Sequence, residues 1–269
     1  CTPQTRNTMA KDQTILFHST IFGPVRSRRL GVSLGVNLLP SDGKVCSFDC
    51  IYCEAGYNAQ GPGKAGLPTP EKVEADLEAR LADMKAKGEP LDVITFSGNG
   101  EPTVHPRFPE IIDAVVSLRD RHFPRAKVSV LSNSTRIFSP AVADALRRVD
   151  NNILKLDSAV EPTMRLIDCP GDKDFTVGRV VEALKQFRGQ ATIQTMLLRG
   201  EHDGTAVDNT TPEEVAALIE AYKEIGPREV MLYSLDRSTP EERLKKVPKE
   251  ELAAIAARVE AAGIPCLCY

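Results

Sequence analysis

From Ser33 onward the chain alternates short apolar runs, rich in β-branched residues, with amphipathic stretches at helical spacing. The runs cover residues 33–39, 92–96, 127–131, 152–157, 192–198 and 229–235, with a short last one over 264–269. Between the first two, Pro70 suits a first helical position. Val73, Leu77, Leu81 and Met84 then mark one apolar face, which Gly88 closes. Further helices are expected over 107–122, 140–148 and 175–187, from Thr211, and around 252–259. Thr211 and Glu214 stand at capping-box spacing, ahead of a stripe of Val215, Leu218, Ile219 and Tyr222. Strands that alternate with helices imply a parallel sheet with right-handed crossovers. About six units are present, fewer than the eight that close a barrel. The expected fold class is therefore α/β, a partial (β/α)6 barrel of TIM type. No internal repeat or linker divides it, so residues 15–269 read as one core domain. Residues 1–14 are polar and aperiodic and read as a flexible extension. Glycine and proline mark 20–31 as a loop and 54–68 as an irregular surface segment.

The loop that leaves the first strand carries Cys46, Cys50 and Cys53, spaced C-x3-C-x2-C. Thiolates this close converge on one object. A zinc knuckle would pair two C-x2-C units, and there is one. The preceding residues do not read as a secretory signal, which argues against a disulfide. A thioredoxin-like C-x-x-C leaves Cys46 unexplained. Four-iron clusters are held by cysteine thiolates, and three ligands on one loop leave one iron open. An open coordination position is what distinguishes a reactive metal site from a closed one.

Composition narrows the class rather than the function. The 269 residues carry 42% hydrophobic and 26% charged residues, ordinary for a globular chain. No apolar run reaches membrane-spanning length, so no membrane partner is expected. Seven cysteines is an odd number, and Cys1, Cys169, Cys266 and Cys268 are scattered, which suits a reducing cytoplasm. The net charge of −3 gives no global basic footprint for nucleic acid.

Ligands of parallel α/β folds bind at the carboxyl ends of strands, and the unusual residues fall there. After the second strand come Gly98, Asn99, Gly100, Glu101 and Pro102. Its glycines let backbone approach a ligand, and Glu101 offers an acceptor to an ammonium; an ordinary turn is the alternative. Ser132 and Asn133 end the third strand and suit either a ribose hydroxyl or a turn cap. Lys155 and Asp157 share a face of the fourth strand. Both are costly there unless paired with each other or bound to ligand. Gln194 interrupts the apolar fifth strand. Residues 199–210 read as a long loop of the kind that forms lids, with Asp208 and Asn209 as candidates for contact with substrate. Arg26, Arg28 and Arg29 form a basic knot before the first strand. Cys266 and Cys268 share a face of the last strand, where burial is the default for cysteine.

Four segments together resemble the radical S-adenosylmethionine (radical SAM) superfamily. They are Gly-Pro-Val-Arg-Ser-Arg-Arg-Leu-Gly at 23–31, the Cys-Ser-Phe-Asp-Cys-Ile-Tyr-Cys loop, Gly-Asn-Gly-Glu-Pro at 98–102 and Leu-Lys-Leu-Asp at 154–157. Within the superfamily they are similar to a bacterial group related to the wyosine-type (4-demethylwyosine synthase-like) enzymes. The resemblance implies a [4Fe-4S] cluster on Cys46, Cys50 and Cys53, with S-adenosylmethionine chelated by the open iron. An electron from the cluster would split the sulfonium into a 5′-deoxyadenosyl radical that abstracts hydrogen from substrate. Residues 98–102 would hold the methionyl amino group, and Tyr52 would lie by the adenine. On their own chemistry Lys155 is then a candidate for the carboxylate, Ser132 and Asn133 for the ribose, and Gln194 for the adenine or for a core polar contact. Asp157, Asp208 and Asn209 would face substrate. A low-potential donor of flavodoxin or ferredoxin type would supply the electron.

Two departures matter. Asn99 interrupts the usual paired glycines. The archaeal wyosine enzymes carry a second cluster on upstream cysteines, whereas here the one upstream cysteine is Cys1. The expectation is thus a single-cluster enzyme acting on a small molecule, peptide or protein. Glu201, Asp203, Asp208, Asp236 and Glu241 on the loops would repel a polyanion. A tRNA-modifying enzyme and a glycyl-radical activase are the other enzyme readings. A non-catalytic electron carrier is disfavoured, because it needs no nucleotide-sized site such as 98–102 offers.

Overall fold

The computed structural model describes residues 15–27, 29–237 and 239–269. The expected extension over 1–14, with Cys1, lies outside them, as does Arg28. The chain forms two compact units. One comprises Leu16–Cys46 and Gly61–Leu154; the other comprises Ser47–Gln60 and Lys155–Tyr269, with Ile15.

In the first unit, the strands are β1 (Ile21–Ser27), β2 (Gly31–Val36), β3 (Val93–Phe96), β4 (Lys127–Ser132) and β5 (Asn151–Lys155, whose last residue belongs to the second unit), hydrogen-bonded in that order. β2 through β5 run parallel. The helices are α1 (Pro70–Lys87), α2 (Phe108–His122) and α3 (Pro140–Arg147). α1 starts and stops where the sequence says. Thr69 accepts from the Lys72 N–H, Pro70 opens the helix, and Gly88 ends it in the left-handed region. Its expected stripe, Val73, Leu77, Leu81 and Met84, is buried. One sheet face supplies Leu34, Val36, Ile94, Phe96, Val128 and Val130 to the core, and the Phe96 ring meets Phe108 of α2 edge-on. By the strand period of two, Ser33, Thr95, Ser129 and Asn151 share the other face. There they bond in pairs: Ser33 with Thr95 at 2.8 Å, and the Asn151 amide to Ser129 Oγ at 2.9 Å.

β1 replaces part of the expected loop over 20–31. It lies antiparallel on β2, with a register shift between Phe22 and Val25. Pro24 is tolerated because the shift interrupts the ladder at a strand with one neighbour. The Phe22 ring covers Gly35, where any Cβ would collide with it, and stacks on Phe17 at 3.8 Å.

In the second unit, β6 (Thr192–His202), β8 (Glu229–Ser234) and β10 (Cys266–Cys268) are parallel neighbours in that order. β7 (Thr205–Asp208) and β9 (Lys245–Lys246) lie antiparallel on β6. The helices are α4 (Glu161–Asp168), α5 (Val177–Leu184), α6 (Pro212–Ile225) and α7 (Lys249–Ala261). Two sequence expectations change. The lid expected over 199–210 is a hairpin: β6 runs on to His202, and Asp203 and Gly204, both at positive φ, turn the chain into β7. Asp-Gly between strands is a strong hairpin signal, masked here by the surrounding polarity. α4 was not expected at all, being two turns long. In α6 the capping box is half formed. Thr211 accepts from the Glu214 N–H, while the Glu214 carboxylate turns to the Ser158 hydroxyl at 2.6 Å.

The α/β class expected from the alternation is the class that forms, with mostly parallel strands and intervening helices. Among the described residues no helix is long and apolar enough to cross a membrane.

Candidate functional site

Cys46 leaves the first unit through a backbone joint. Val45, just before it, pairs with Gly100 as a parallel bridge. The Val45 N–H donates to the Asn99 carbonyl at 3.0 Å, and the Glu101 N–H to the Val45 carbonyl at 3.1 Å. Gly100 has φ of +130°, and any Cβ on it would strike the Val45 carbonyl. Gly98, at φ +149°, meets the Asn37 side chain in the same way. The glycines expected to admit a ligand therefore admit the chain's own atoms, the Val45 carbonyl at Gly100 and the Asn37 side chain at Gly98. Asn99 is likewise internal and fully buried. Its amide donates to the Phe17 and Pro40 carbonyls at 2.9 and 2.8 Å and accepts from the Phe17 N–H at 2.8 Å.

Glu101 is buried and caps the short 3-10 turn that begins at Pro102. Oε1 accepts from the Thr103 N–H at 3.0 Å, from the Thr103 hydroxyl, and from Ser132 Oγ at 2.9 Å. Oε2 accepts from the Asn133 N–H at 2.6 Å. A carboxylate has about four lone-pair sites, two per oxygen, so the crowding is all on Oε1. Burial pushes the Glu101 carboxyl above its ordinary range, against these hydrogen bonds. Ser132 thus holds Glu101. Asn133 turns its amide toward Cys46, with Nδ2 3.6 Å from Sγ.

In the second unit, backbone bonds pin the rest of the loop to the end of α4. The Asp49 N–H reaches the Asp168 and Cys169 carbonyls, Ile51 N–H reaches Ile167, and Gly171 N–H reaches Ser47. This places buried Cys50 beside a charged cluster. Lys155 Nζ lies 3.0 Å from Cys50 Sγ, 3.1 Å from Asp168 Oδ1 and 3.3 Å from Asp157 Oδ2, and 4.7 Å from the centre of the Tyr52 ring. The Tyr52 hydroxyl donates to Asp157 Oδ2. Burial alone would lower the Lys155 pKa, but Asp157 and Asp168, with Cys50 and Tyr52, hold it well above its ordinary value. Burial raises the Asp168 carboxyl, with Asp157 adding and Lys155 opposing. Tyr52 is raised by burial first and then by Asp157. The expected Lys155–Asp157 pair is therefore an ion pair. Its third member, Asp168, was missed because nothing in the sequence marks the end of α4.

The two remaining substrate candidates have partners within the chain. Asn209 is fully buried; Nδ2 donates to the Asp157 and Met196 carbonyls at 2.8 and 2.7 Å, and Oδ1 accepts from the Leu198 N–H at 2.8 Å. Asp208 accepts from Thr210 and pairs with Arg199 at 3.3 Å. Gln194 is buried in β6. The acids expected to repel a polyanion mostly carry cations: Glu201 and Glu241 bind Arg243, Asp208 binds Arg199, and Asp236 binds Lys246. Arg243 serves both Glu201 and Glu241, so the repulsion is reduced and not cancelled.

The radical SAM superfamily pattern matches residues 41–209, from just before Cys46 to Asn209. The chain belongs to the radical SAM superfamily. It is 32% identical over 236 residues to a UPF0026 protein of Methanocaldococcus jannaschii, covering 86% of this chain and 68% of that one. The chain spans from about a third to about two thirds of the length of the first curated relatives it matches. Among solved structures it is similar to a radical SAM methyltransferase from Sphaerobacter thermophilus, with TM-score 0.66 and 17% identity over 88% of this chain and 65% of that chain. It is also similar to TYW1 with a lysine-pyruvate adduct bound, with TM-score 0.55 and 19% identity over 85% and 73% of the two chains. At these identities the likeness is one of fold.

The superfamily uses a [4Fe-4S] cluster and S-adenosylmethionine, and these are the cofactors here. The donor set fits. Cys50 has the Lys155 ammonium 3.0 Å from its sulfur, with the Asp168 carboxylate 3.6 Å from it, and Cys46 has the Asn133 amide at 3.6 Å; the ammonium and the amide N–H can both donate to a thiolate ligand. Among the described residues no three His, Cys, Asp or Glu side chains are drawn together around a single-ion site.

Proposed function

We propose that this chain is a single-cluster radical SAM enzyme whose catalytic core is residues 15–269. Cys46, Cys50 and Cys53 hold the cluster. The observation that carries the reading is the Val45–Gly100 joint, which builds Cys46 and Glu101 onto one backbone bridge. A cluster ligand and a buried carboxylate fixed together in this way suit a cofactor that must reach both. When bound, the cluster and S-adenosylmethionine supply one-electron cleavage of the sulfonium and a carbon-centred radical that takes hydrogen from substrate.

This chain's residues do the rest. Glu101 presents Oε2 to the methionyl ammonium, and Thr103 and Ser132 fix the carboxylate by occupying Oε1. Asn133 supports both Glu101, through its N–H, and Cys46, through its amide. Tyr52, anchored on Asp157, presents an aromatic edge for the adenine, and Gln194 a polar contact. Asp157 acts on substrate only indirectly, by orienting Tyr52 and Lys155.

An external low-potential donor supplies the electron, and a small molecule, peptide or protein is the substrate. With the loop acids partly offset by Arg243, Arg199 and Lys246, preference against nucleic acid rests mainly on the net charge of −3. The test is anaerobic reconstitution with iron and sulfide, then reduction with S-adenosylmethionine present. Release of 5′-deoxyadenosine is expected. A cluster that assembles and reduces but releases none identifies an electron carrier instead.

A further inference from the structure

We infer that Lys155 is the counter-charge of the cluster at its Cys50 corner, and that it sets the cluster's reduction potential rather than binding S-adenosylmethionine. This rests on Cys50 being a cluster ligand. An ammonium has three N–H donors and no more. Lys155 has three acceptors in reach: Cys50 Sγ at 3.0 Å, Asp168 Oδ1 at 3.1 Å and Asp157 Oδ2 at 3.3 Å. A methionyl carboxylate at Nζ would have to displace one of them. The two aspartates are themselves held. Asp157 Oδ1 accepts from the Met196 N–H at 2.9 Å, and Oδ2 from Tyr52. Asp168 belongs to the end of α4, whose backbone also anchors the cysteine loop. The ammonium is therefore positioned on the sulfur by the same elements that position the sulfur.

Its side chain is 14% exposed, so water screens the charge little. Iron–sulfur potentials respond to net charge and to hydrogen bonds at the sulfurs. One-electron reduction by the external donor adds one negative charge to the cluster. A cation 3.0 Å from a ligand sulfur stabilises the reduced form, against the Asp168 carboxylate 3.6 Å from the same sulfur. Lys155 makes the cluster easier to reduce.

Wild type, Lys155→Gln and Lys155→Arg are reconstituted anaerobically and titrated potentiometrically without S-adenosylmethionine. Lys155→Gln is expected to disfavour reduction at least tenfold, a shift of about 59 mV to more negative potential for one electron. Lys155→Arg keeps the charge and restores most of the shift. On wild type, 15N-lysine labelling and electron–nuclear double resonance of the reduced cluster should show a lysine 15N coupling. That measurement keeps the inference refutable even where Lys155→Gln does not fold. An unmoved potential in Lys155→Gln, or no lysine coupling in wild type, overturns the inference. An unchanged potential with weakened S-adenosylmethionine binding returns Lys155 to the carboxylate. Failure of wild type to assemble any cluster overturns the proposed function, and this inference with it.

Discussion

Gly100→Ala separates two reasons for a glycine beside a cofactor. If Gly100 is there to admit a ligand, a methyl group costs binding and leaves the unloaded fold intact. The structure says otherwise, because the space is filled by the Val45 carbonyl. Alanine at φ +130° incurs backbone strain of roughly 1–3 kcal/mol. Moving Val45 away breaks the hydrogen bonds from Val45 N–H to Asn99 and from Glu101 N–H to Val45. Each contributes about 0.5–1.5 kcal/mol. The sum is roughly 2–6 kcal/mol, a large part of the ~5–15 kcal/mol that holds a native protein. At about 2–4 °C per kcal/mol for a large domain, thermal unfolding should fall by roughly 10 °C in protein without cofactors. Gly178→Ala is the control. It lies in α5 with nothing near its missing Cβ, and should stabilise by about 0.5–1 kcal/mol. Scanning calorimetry on both variants makes the comparison. An unchanged unfolding temperature in Gly100→Ala, with S-adenosylmethionine binding lost, would refute the packing argument and restore the ligand-access one.

Four further outcomes are expected. Reconstituted protein should hold about four iron and four sulfide per chain, and Cys50→Ala should hold almost none by the same assay; counts near eight would sink the single-cluster reading. Glu101→Gln removes the charge facing the ammonium, and S-adenosylmethionine affinity, read by titration calorimetry, should fall about tenfold or more for a charge-assisted bond of ~1.5–3 kcal/mol; an unchanged dissociation constant with the cluster intact refutes the assignment. His105 is buried and neutral, its Nδ1 accepting from the Arg107 N–H at 3.2 Å and its Nε2 2.9 Å from the Pro68 carbonyl, and burial holds its pKa below the ordinary 6.5. A depressed folded pKa means its stability is complete above about pH 6.5 and lost as pH falls through the folded value, so the wild-type advantage over His105→Asn in urea midpoint should shrink from pH 7.5 to 5; a constant gap argues against it. Bulk tRNA should bind no tighter than non-specific levels at physiological salt; micromolar binding with a steep salt slope would bring back the tRNA-modification reading.

Residue type and periodicity reveal where strands and helices lie, but they do not reveal which polar atoms are already in use. The α1 cap and stripe were legible because local rules governed them: Thr69, Pro70 and Gly88 act on their own helix. The cysteine loop was legible because its ligands are adjacent in sequence. Lys155 and Asp157 were legible as a pair by the strand period, and they are one. Asp168 was not, because it lies beyond a two-turn helix with no strong signal, and only the fold brings it to 3.1 Å from Lys155. Asn99 read as a site residue because it lies in the 98–102 segment, and Asn209 because it lies in the expected lid over 199–210, yet each is consumed by backbone groups of distant segments. The same holds for Gly98 and Gly100. A glycine in sequence announces a close approach without saying what approaches, and here it is the Asn37 side chain at Gly98 and the Val45 carbonyl at Gly100. The residues that shape this site are thus of two kinds. Cys46, Cys50 and Cys53 are marked by their chemistry. Asp168 is marked only by tertiary proximity, its carboxylate meeting Lys155 and Cys50 of the site itself. Asn99, Gly100 and Asn209 are marked by tertiary packing and hydrogen bonds, and a substitution at any of these should damage the fold before it alters the reaction.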